Sequence, residues 1–376
     1  MDQDSQEKYR VSATIAQKVL EQVVSAARPG CSVHMLCKYA NDLVNSYTKA
    51  VFKKDKQIER GLSFPATIST NNFIQNFSPD EQHDIQLAPN DLVKILCVQL
   101  DGFIANVAYT FSLLPALQFN MSDKQTAVTC AAYYASEAAL RLLSPGNKTA
   151  DIVEIVGLIA KEFNCSVSEH SYTSQLDRFV SSGKKTFSNL KLPKNPNLIS
   201  VIEAGDFYTV DIILSTGPGV SKDAICPPTI YSRNINKSYM LKIKSSRNLF
   251  SKVCKERSVF PFLMRDVMDS STKTGIMECV RNDLLVPYKV TCDRNGEFVA
   301  QFKNTVFVHH TGPLRLTPNV LPNVPLLDIP QDSKIAGIIN LPIKHIASAS
   351  LPSNSEIDSI SLGTTANSVS ADMEMY

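Results

Sequence analysis

No run of apolar residues in this chain reaches the ~18 that a bilayer-spanning helix needs, because charge interrupts every long one. The first ten residues, MDQDSQEKYR, carry neither an apolar signal core nor a basic amphipathic pattern, so neither export nor membrane insertion is expected. The nine cysteines are odd in number, include no CxxC pair and have no histidine cluster near them, which argues against a zinc site and a disulfide framework. They read as reduced, mostly buried thiols, and the Asn-x-Ser/Thr triplets at Asn147 and Asn164 then read as chance matches. A large excess of charge is also missing: 38 Lys and Arg against 36 Asp and Glu leave a net +2. A whole-molecule field for nucleic acid is thereby excluded, and any such affinity has to come from local patches.

What is present suffices for a sizeable core, 44% hydrophobic residues in 376, as one large domain or two medium ones. The clearest local signal is Asp91 to Phe111, DLVKILCVQLDGFIANVAYTF. Val93, Ile95 and Cys97 alternate with Leu92, Lys94 and Leu96, Asp101-Gly102 supplies a turn and FIANVAYTF returns, which predicts a β-hairpin flooring any pocket. Upstream, residues 1–10 read as a tail, and Ser12 is placed to cap a helix through about Ala27 that stops at Pro29-Gly30. A second helix is expected from Ser32, with Val33, Leu36, Ala40, Leu43, Val44, Tyr47 and Val51 at helical spacing.

An internal echo follows. AARPG ending at Gly30 returns as LLSPG ending at Gly146, and TADIVEIVGLIAKEF from Thr149 gives the second copy of the helix after the turn. Pro29 precedes Asp91 by 62 residues and Pro145 precedes Asp206 by 61, each aspartate opening a strand, so two similar halves are expected to face one another. Leu96 and Asp211 each lie five residues beyond their aspartate and are pseudo-equivalent; only the second half keeps an acid.

Between Lys237 and about Leu263, Met240, Ile243, Leu249, Phe250 and Val253 make a helical apolar stripe among Lys242, Lys244, Arg247, Lys252, Lys255 and Arg257. Lys49, Lys53, Lys54, Lys56 and Arg60 gather at the end of the second helix. Such clusters suit phosphate, with release of counterions, and equally suit a plain solvated face. Asp293-Arg294-Asn295-Gly296 predicts the turn of a hairpin feeding a strand from Glu297 to His309. From residue 346 the chain turns Ser- and Asn-rich, with acids and no apolar period, and reads as a disordered tail.

Four segments, GLSFPATIS (Gly61 to Ser69), DLVKI…LDGFIANVAYTF, GDFYTVDIILSTG (Gly205 to Gly217) and GEFVAQFKNTV (Gly296 to Val306), resemble in order the landmarks of type II methionine aminopeptidases. They are still more similar to the non-peptidase relatives of that fold, the proliferation-associated (ErbB-receptor-binding) proteins and the yeast ribosomal-export-complex-associated factor. The resemblance covers about residues 8 to 345 and implies an α/β (α+β) pita-bread fold of the creatinase/aminopeptidase kind. That fold has two pseudo-symmetric halves around a curved antiparallel sheet, here over residues 11–345, with an inserted helical subdomain at about 218–285. The lysine-rich tail of the proliferation-associated proteins is missing here.

In the peptidases that this chain resembles, a pair of divalent metals is held by two aspartates, a histidine and two glutamates, beside a proton-handling histidine. Carried over, the aspartates fall on Leu96 and Asn106, the metal histidine at about Ser174, where GKKT follows, the glutamates on Asp211 and Lys303, and the proton-handling histidine on Asn76. No cofactor is expected from such a set, since an ammonium stands where a dication should sit. The residues read as a vestigial pocket: Leu96 packing, Asn76 and Asn106 bonding backbone, and Asp211 and Lys303 neutralising each other. His170, His309, His310 and His345 show no triad or ligand spacing, and His309 and His310, adjacent on a strand, should point to opposite faces.

The resemblance implies a pseudo-enzyme that binds the large ribosomal subunit or its precursor near the polypeptide tunnel exit, acting in maturation and nuclear export. Its partners would be ribosomal RNA and proteins of the large subunit, with nuclear-pore or export-factor peptides as further candidates. It would be a monomer shuttling between nucleus and cytoplasm. An RNA- or DNA-binding regulator and a residual metallo-aminopeptidase are the alternatives.

Overall fold

The computed structural model describes residues 3–53, 59–100, 102–113, 123–191, 200–257, 259–329 and 333–351, without the side chains of 95–100. Helices α1 (Gln3–Ala26) and α2 (Val33–Ala50) lead into short strands β1 (Arg60–Gly61), β2 (Ile68–Thr70) and β3 (Phe73–Gln75), then the hairpin β4 (Leu92–Leu100) and β5 (Phe103–Ser112). The second half repeats the order with α3 (Lys124–Leu142), α4 (Thr149–Glu162), β6 (Ser166–Val167), β7 (Tyr172–Leu176), β8 (Phe187–Ser188) and β9 (Phe207–Ser215). An insert then brings β10 (Lys222–Asp223), β11 (Ile230–Arg233), α5 (Lys244–Glu256), β12 (Phe262–Leu263), α6 (Ile276–Arg281), β13 (Leu285–Tyr288) and β14 (Thr291–Cys292). The chain closes with β15 (Val299–His309), β16 (Gly312–Arg315), α7 (Lys334–Ile339) and β17 (Lys344–His345). No helix of the described residues is long and apolar enough to cross a membrane.

The main sheet runs β1-β4-β5-β15-β9-β7-β8, so β5 and β15 meet at its centre and β4 and β9 flank them. This is the expected pseudo-symmetry, visible in the backbone. Gly30 N–H donates to Leu87 O at 2.7 Å and Gly146 N–H to Ile202 O at 3.0 Å, both glycines in the left-handed region at φ 87° and 91°. The returning bonds match as well, Leu87 N–H to Cys31 O and Ile202 N–H to Asn147 O, each at 2.9 Å. Where the first half turns tightly at Gly102, the second half opens into the insert.

Four expectations are corrected. The helix begins at Gln3, and Ser12 lies within it, its hydroxyl donating to Phe103 O at 3.2 Å rather than capping. The cause is packing: Tyr9 stacks on Phe207 with centroids 3.8 Å apart and meets Phe103 edge-on, so residues 3–10 cover the sheet instead of trailing from it. The insert is not purely helical, since β11 is paired on both sides by β12 and β13 around its own apolar cluster, and it runs past 285, through Tyr288 of β13 to Cys292 of β14. Its helix starts at Lys244, which leaves Met240 and Ile243 89% and 50% exposed, because the Glu278 carboxylate accepts the Lys242 and Ile243 N–H groups just before it.

Asn295-Gly296 does turn, with Gly296 at φ 83°, but β14 pairs β10 and β3 while β15 pairs β5 and β9, so no hairpin forms. Finally, residues 346–351 are held: Ile346 N–H donates to Arg315 O at 3.0 Å and Ala349 N–H to Thr14 Oγ1 at 2.9 Å. The rest of the expected tail, 352–376, lies outside the described residues.

The two halves meet at Lys94. Its side chain is 1% exposed, and Nζ donates to Asn71 O at 3.1 Å and Val299 O at 3.0 Å. Burial pulls its titration down to about 7, with Asp91 opposing. A neutral amine has two N–H donors, which match the two carbonyls. Because the folded value lies below the ordinary lysine range, the unfolded chain binds more protons between pH 7 and the ordinary value near 10.4. Stability from this group therefore rises with pH across that window, by on the order of 1 kcal/mol per pH unit, and is flat below it. Urea unfolding at pH 7 and 9 should show that rise, and Lys94→Met should abolish most of it.

Candidate functional site

The concave face of the sheet holds a cavity of about 430 Å³ to which first half, second half and insert all contribute walls. Along a strand, alternate residues share a face, so Thr209 and Asp211 on β9 and Gln301 and Lys303 on β15 all look into it. Lys303 and Asp211 are paired residues of adjacent strands, which brings Nζ and Oδ2 to 2.7 Å. The other Asp211 oxygen accepts from Gln301 Nε2 at 2.7 Å. Only 13% and 14% of the lysine and aspartate side chains is exposed, so each charge depends on the other.

Around this pair the expected pocket assembles, with Asn76, Asn106, Ser174, Asp211 and Lys303 all lining it. Leu96 pairs with Ala108 in the backbone beside a bulge, and its side chain lies outside the described residues. Asn76 adopts a left-handed conformation at φ 66° and donates to Lys289 O at 3.0 Å, tying the first half to the base of the insert. The Asn106 amide donates to the Thr209 hydroxyl at 3.2 Å, a side-chain bond where a backbone one was expected, reaching across β15, whose Thr305 pairs with Thr209. Ser174 stands opposite Thr209 on β7.

Sequence reasoning missed Gln301 and His170. Gln301 had a signal, its place two residues before Lys303 on the same strand face. His170 had none: a loop places it in the wall, its Nδ1 3.0 Å from Gln75 Nε2, and its Nε2 is buried with no partner. Burial lowers its titration, opposed by Glu169 and Asp211. Phe64 and Tyr288, edge to face with centroids 5.1 Å apart, form an aromatic rim together with Tyr172 and Pro261. His309 and His310 do not diverge: β15 ends at His309 and the chain turns, bringing the two rings within 3.7 Å.

The donor set does not fit a pair of divalent metals. The positions carry one carboxylate, two amides, a hydroxyl and an ammonium, and that ammonium already occupies the carboxylate. Among the described residues no group of three or more His, Cys, Asp or Glu could hold a metal ion.

The cationic cluster divides. Lys242, Lys244 and Lys255 are exposed, while the exposed Arg247 donates to Leu241 O at 3.0 Å and Lys242 O at 2.8 Å and so holds its own segment. Lys252 and Arg257 are half-buried near Asp269 and Asp266, each at 3.8 Å. Lys49 and Lys53 are exposed at the end of α2; Lys54 and Lys56 lie outside the described residues. A groove of about 940 Å³ separates α2 from the insert, and its cations, Lys38, Arg60, Lys255, Arg257 and Arg265, face as many carboxylates.

The fold and the pocket define a peptidase architecture without a matching metal-ligand set. The sequence profile of metallopeptidase family M24 matches residues 7–188. The chain is 32% identical over 339 residues to proliferation-associated protein A of Dictyostelium discoideum, covering 89% of this chain and 88% of that protein. It is 33% identical over 342 residues to ErbB-3 binding protein 1 of Solanum tuberosum, covering 90% and 87%. A solved structure of a thermophilic Arx1 superposes with a TM-score of 0.79 at 27% identity, covering 92% of this chain and all of that one. The chain therefore belongs to metallopeptidase family M24, with the pita-bread fold, among the proliferation-associated and ErbB-3-binding proteins.

The buried pair is open to a direct check. Lys303→Met leaves Asp211 uncompensated and should cost about 2–3 kcal/mol, slightly under the range for a fully buried pair. Asp211→Asn added to it should restore part of that loss, a non-additivity readable in a double-mutant cycle by urea unfolding.

Proposed function

We propose that this protein is a non-catalytic binding factor that docks on the large ribosomal subunit or its precursor near the tunnel exit, acting in maturation and nuclear export. The observation that carries the non-catalytic part is the Lys303 ammonium, 2.7 Å from Asp211 at the centre of the cavity. A dication there would have to displace a cation that already neutralises the only acid among the carried-over positions. The docking part rests on the family resemblance and on the exposed cations of the insert. Lys244 and Lys255 are eleven residues apart on α5, about three turns, so they share one face some ~16 Å apart, a layout suited to a phosphate backbone.

The partners in this reading are ribosomal RNA and proteins of the large subunit, met by a monomer that passes between nucleus and cytoplasm. The aromatic-rimmed cavity is the place we assign to a peptide of an export factor or of the nuclear pore.

Two measurements test the proposal. On sucrose gradients of nuclear and cytoplasmic extracts the protein should travel with large subunits or their precursors at low salt. Lys242→Glu, Lys244→Glu and Lys255→Glu together should send it to the top; Arg247 is left in place because it holds the segment before α5. A wild type that stays at the top, yet binds naked duplex with a steep salt slope, would establish the nucleic-acid regulator instead. Purified protein should contain less than ~0.1 metal per chain and no aminopeptidase activity, and stoichiometric metal would refute the pseudo-enzyme reading.

A further inference from the structure

The segment before α5 presents apolar and cationic side chains together to solvent. Ile235, Tyr239, Met240 and Ile243 are 63%, 41%, 89% and 50% exposed, with Lys237, Lys242 and Lys244 exposed between them. Met277, 59% exposed, is the chain neighbour of the Glu278 whose carboxylate holds the Lys242 and Ile243 N–H groups. The strip is anchored in this conformation: Leu241 is buried beneath it, Arg247 donates to two of its carbonyls, and Asn236 N–H donates to Asn234 Oδ1.

Phosphate accounts for the lysines of this strip but leaves its methionine and isoleucine side chains in water. A surface that alternates large apolar groups with ammonium groups is satisfied by a partner that alternates apolar groups with carboxylates. The chain carries such a sequence itself. Residues 352–376 hold Glu356, Asp358, Asp372 and Glu374 and no Lys or Arg, and these acids sit among Ile357, Ile360, Leu362, Met373 and Met375. The segment departs from Leu351, just beyond the Ala349 anchor on Thr14. Extended, it reaches about 80 Å at ~3.3 Å per residue, whereas a globule of this length is about 50 Å across. The path halfway round such a globule is about 80 Å, so only its far pole would demand full extension.

We propose that residues 352–376 dock on the strip formed by Ile235, Tyr239, Met240 and Ile243 with Lys237, Lys242 and Lys244, and so compete with nucleic acid for the cations of the insert. This rests on the docking reading above for its consequence, though not for the contact itself. The competition is intramolecular, at an effective concentration of about 1 mM. A segment that binds in trans with a dissociation constant of about 0.1–0.3 mM then weakens RNA binding by about four- to tenfold. Phosphorylation of the serines in this segment would add acceptors and tighten the contact.

The test uses the full chain, its variant Glu356→Gln/Asp358→Asn/Asp372→Asn/Glu374→Gln, a fluorescent peptide of residues 352–376 and a short RNA duplex. The neutralised chain should bind the duplex about four- to tenfold more tightly than the parent, and should bind the peptide in trans by anisotropy. Lys242→Glu/Lys244→Glu should abolish peptide binding, and Met240→Asp, at a side chain 89% exposed and so without consequence for folding, should weaken it at high salt as well as low. Peptide binding with no duplex binding by any form would retain the contact and remove the RNA-docking reading. Equal duplex affinity in parent and neutralised chain, with no peptide binding at millimolar concentration or binding indifferent to Lys242 and Lys244, would overturn the proposal.

Discussion

The pairing of β9 with β15, unbroken from Val299 opposite Ser215 to Phe307 opposite Phe207, is the constraint on which the rest of the molecule depends. It joins strands separated by the whole insert, so forming it brings both ends of that insert together. It places Lys303 opposite Asp211 and Gln301 on the same face. It also delivers Val299 O to Lys94, locking the first half onto the strand that closes the second.

The cavity keeps its shape for a reason other than chemistry. In a peptidase of this fold, metals hold several carboxylates close together; without them, such a group of like charges would repel. Here the carried-over positions retain only one acid and supply its counter-ion from the neighbouring strand. Of the remaining positions, Asn106 bonds to the Thr209 hydroxyl and Asn76 to the Lys289 carbonyl. A buried ion pair of this kind contributes little net stability, but removing either partner is costly, so the pair fixes strand register and cavity shape more than it adds free energy. Among the described residues of the wall, His170 Nε2 and Ser63 Oγ are buried without a partner.

The insert replaces a hairpin turn with a small domain, and its design separates support from presentation. Tyr231, Leu249, Val253, Phe262 and Leu285 form an apolar core of their own, while Thr229 Oγ1 on Ser78 O and the Asn76 amide on Lys289 O fasten its base to the first half. Glu278 and Arg247 hold the segment before α5 through its backbone, and that leaves Met240, Ile243, Lys242 and Lys244 facing outward. Side chains left this exposed are available for external contacts.

The sequence by itself determined the hairpin at Leu92 to Ser112, the helix capped by Ser32, the two halves and the list of residues that meet in the cavity. The first three rest on short-range periodicity or on spacing that recurs along the chain, which sequence carries directly; the cavity residues came from the family resemblance. Only the tertiary structure decided where α1 begins, because the stacking of Tyr9 on Phe207 joins residues nearly two hundred positions apart. The same holds for His170 in the cavity wall, for the meeting of His309 with His310 at a strand end, and for the partners of β15, where a local Asn-Gly turn signal lost to pairing with β9 and β5. Local preferences of a few tenths to one kcal/mol yield to the burial of whole aromatic side chains and to strand pairing, and neither has a local signature.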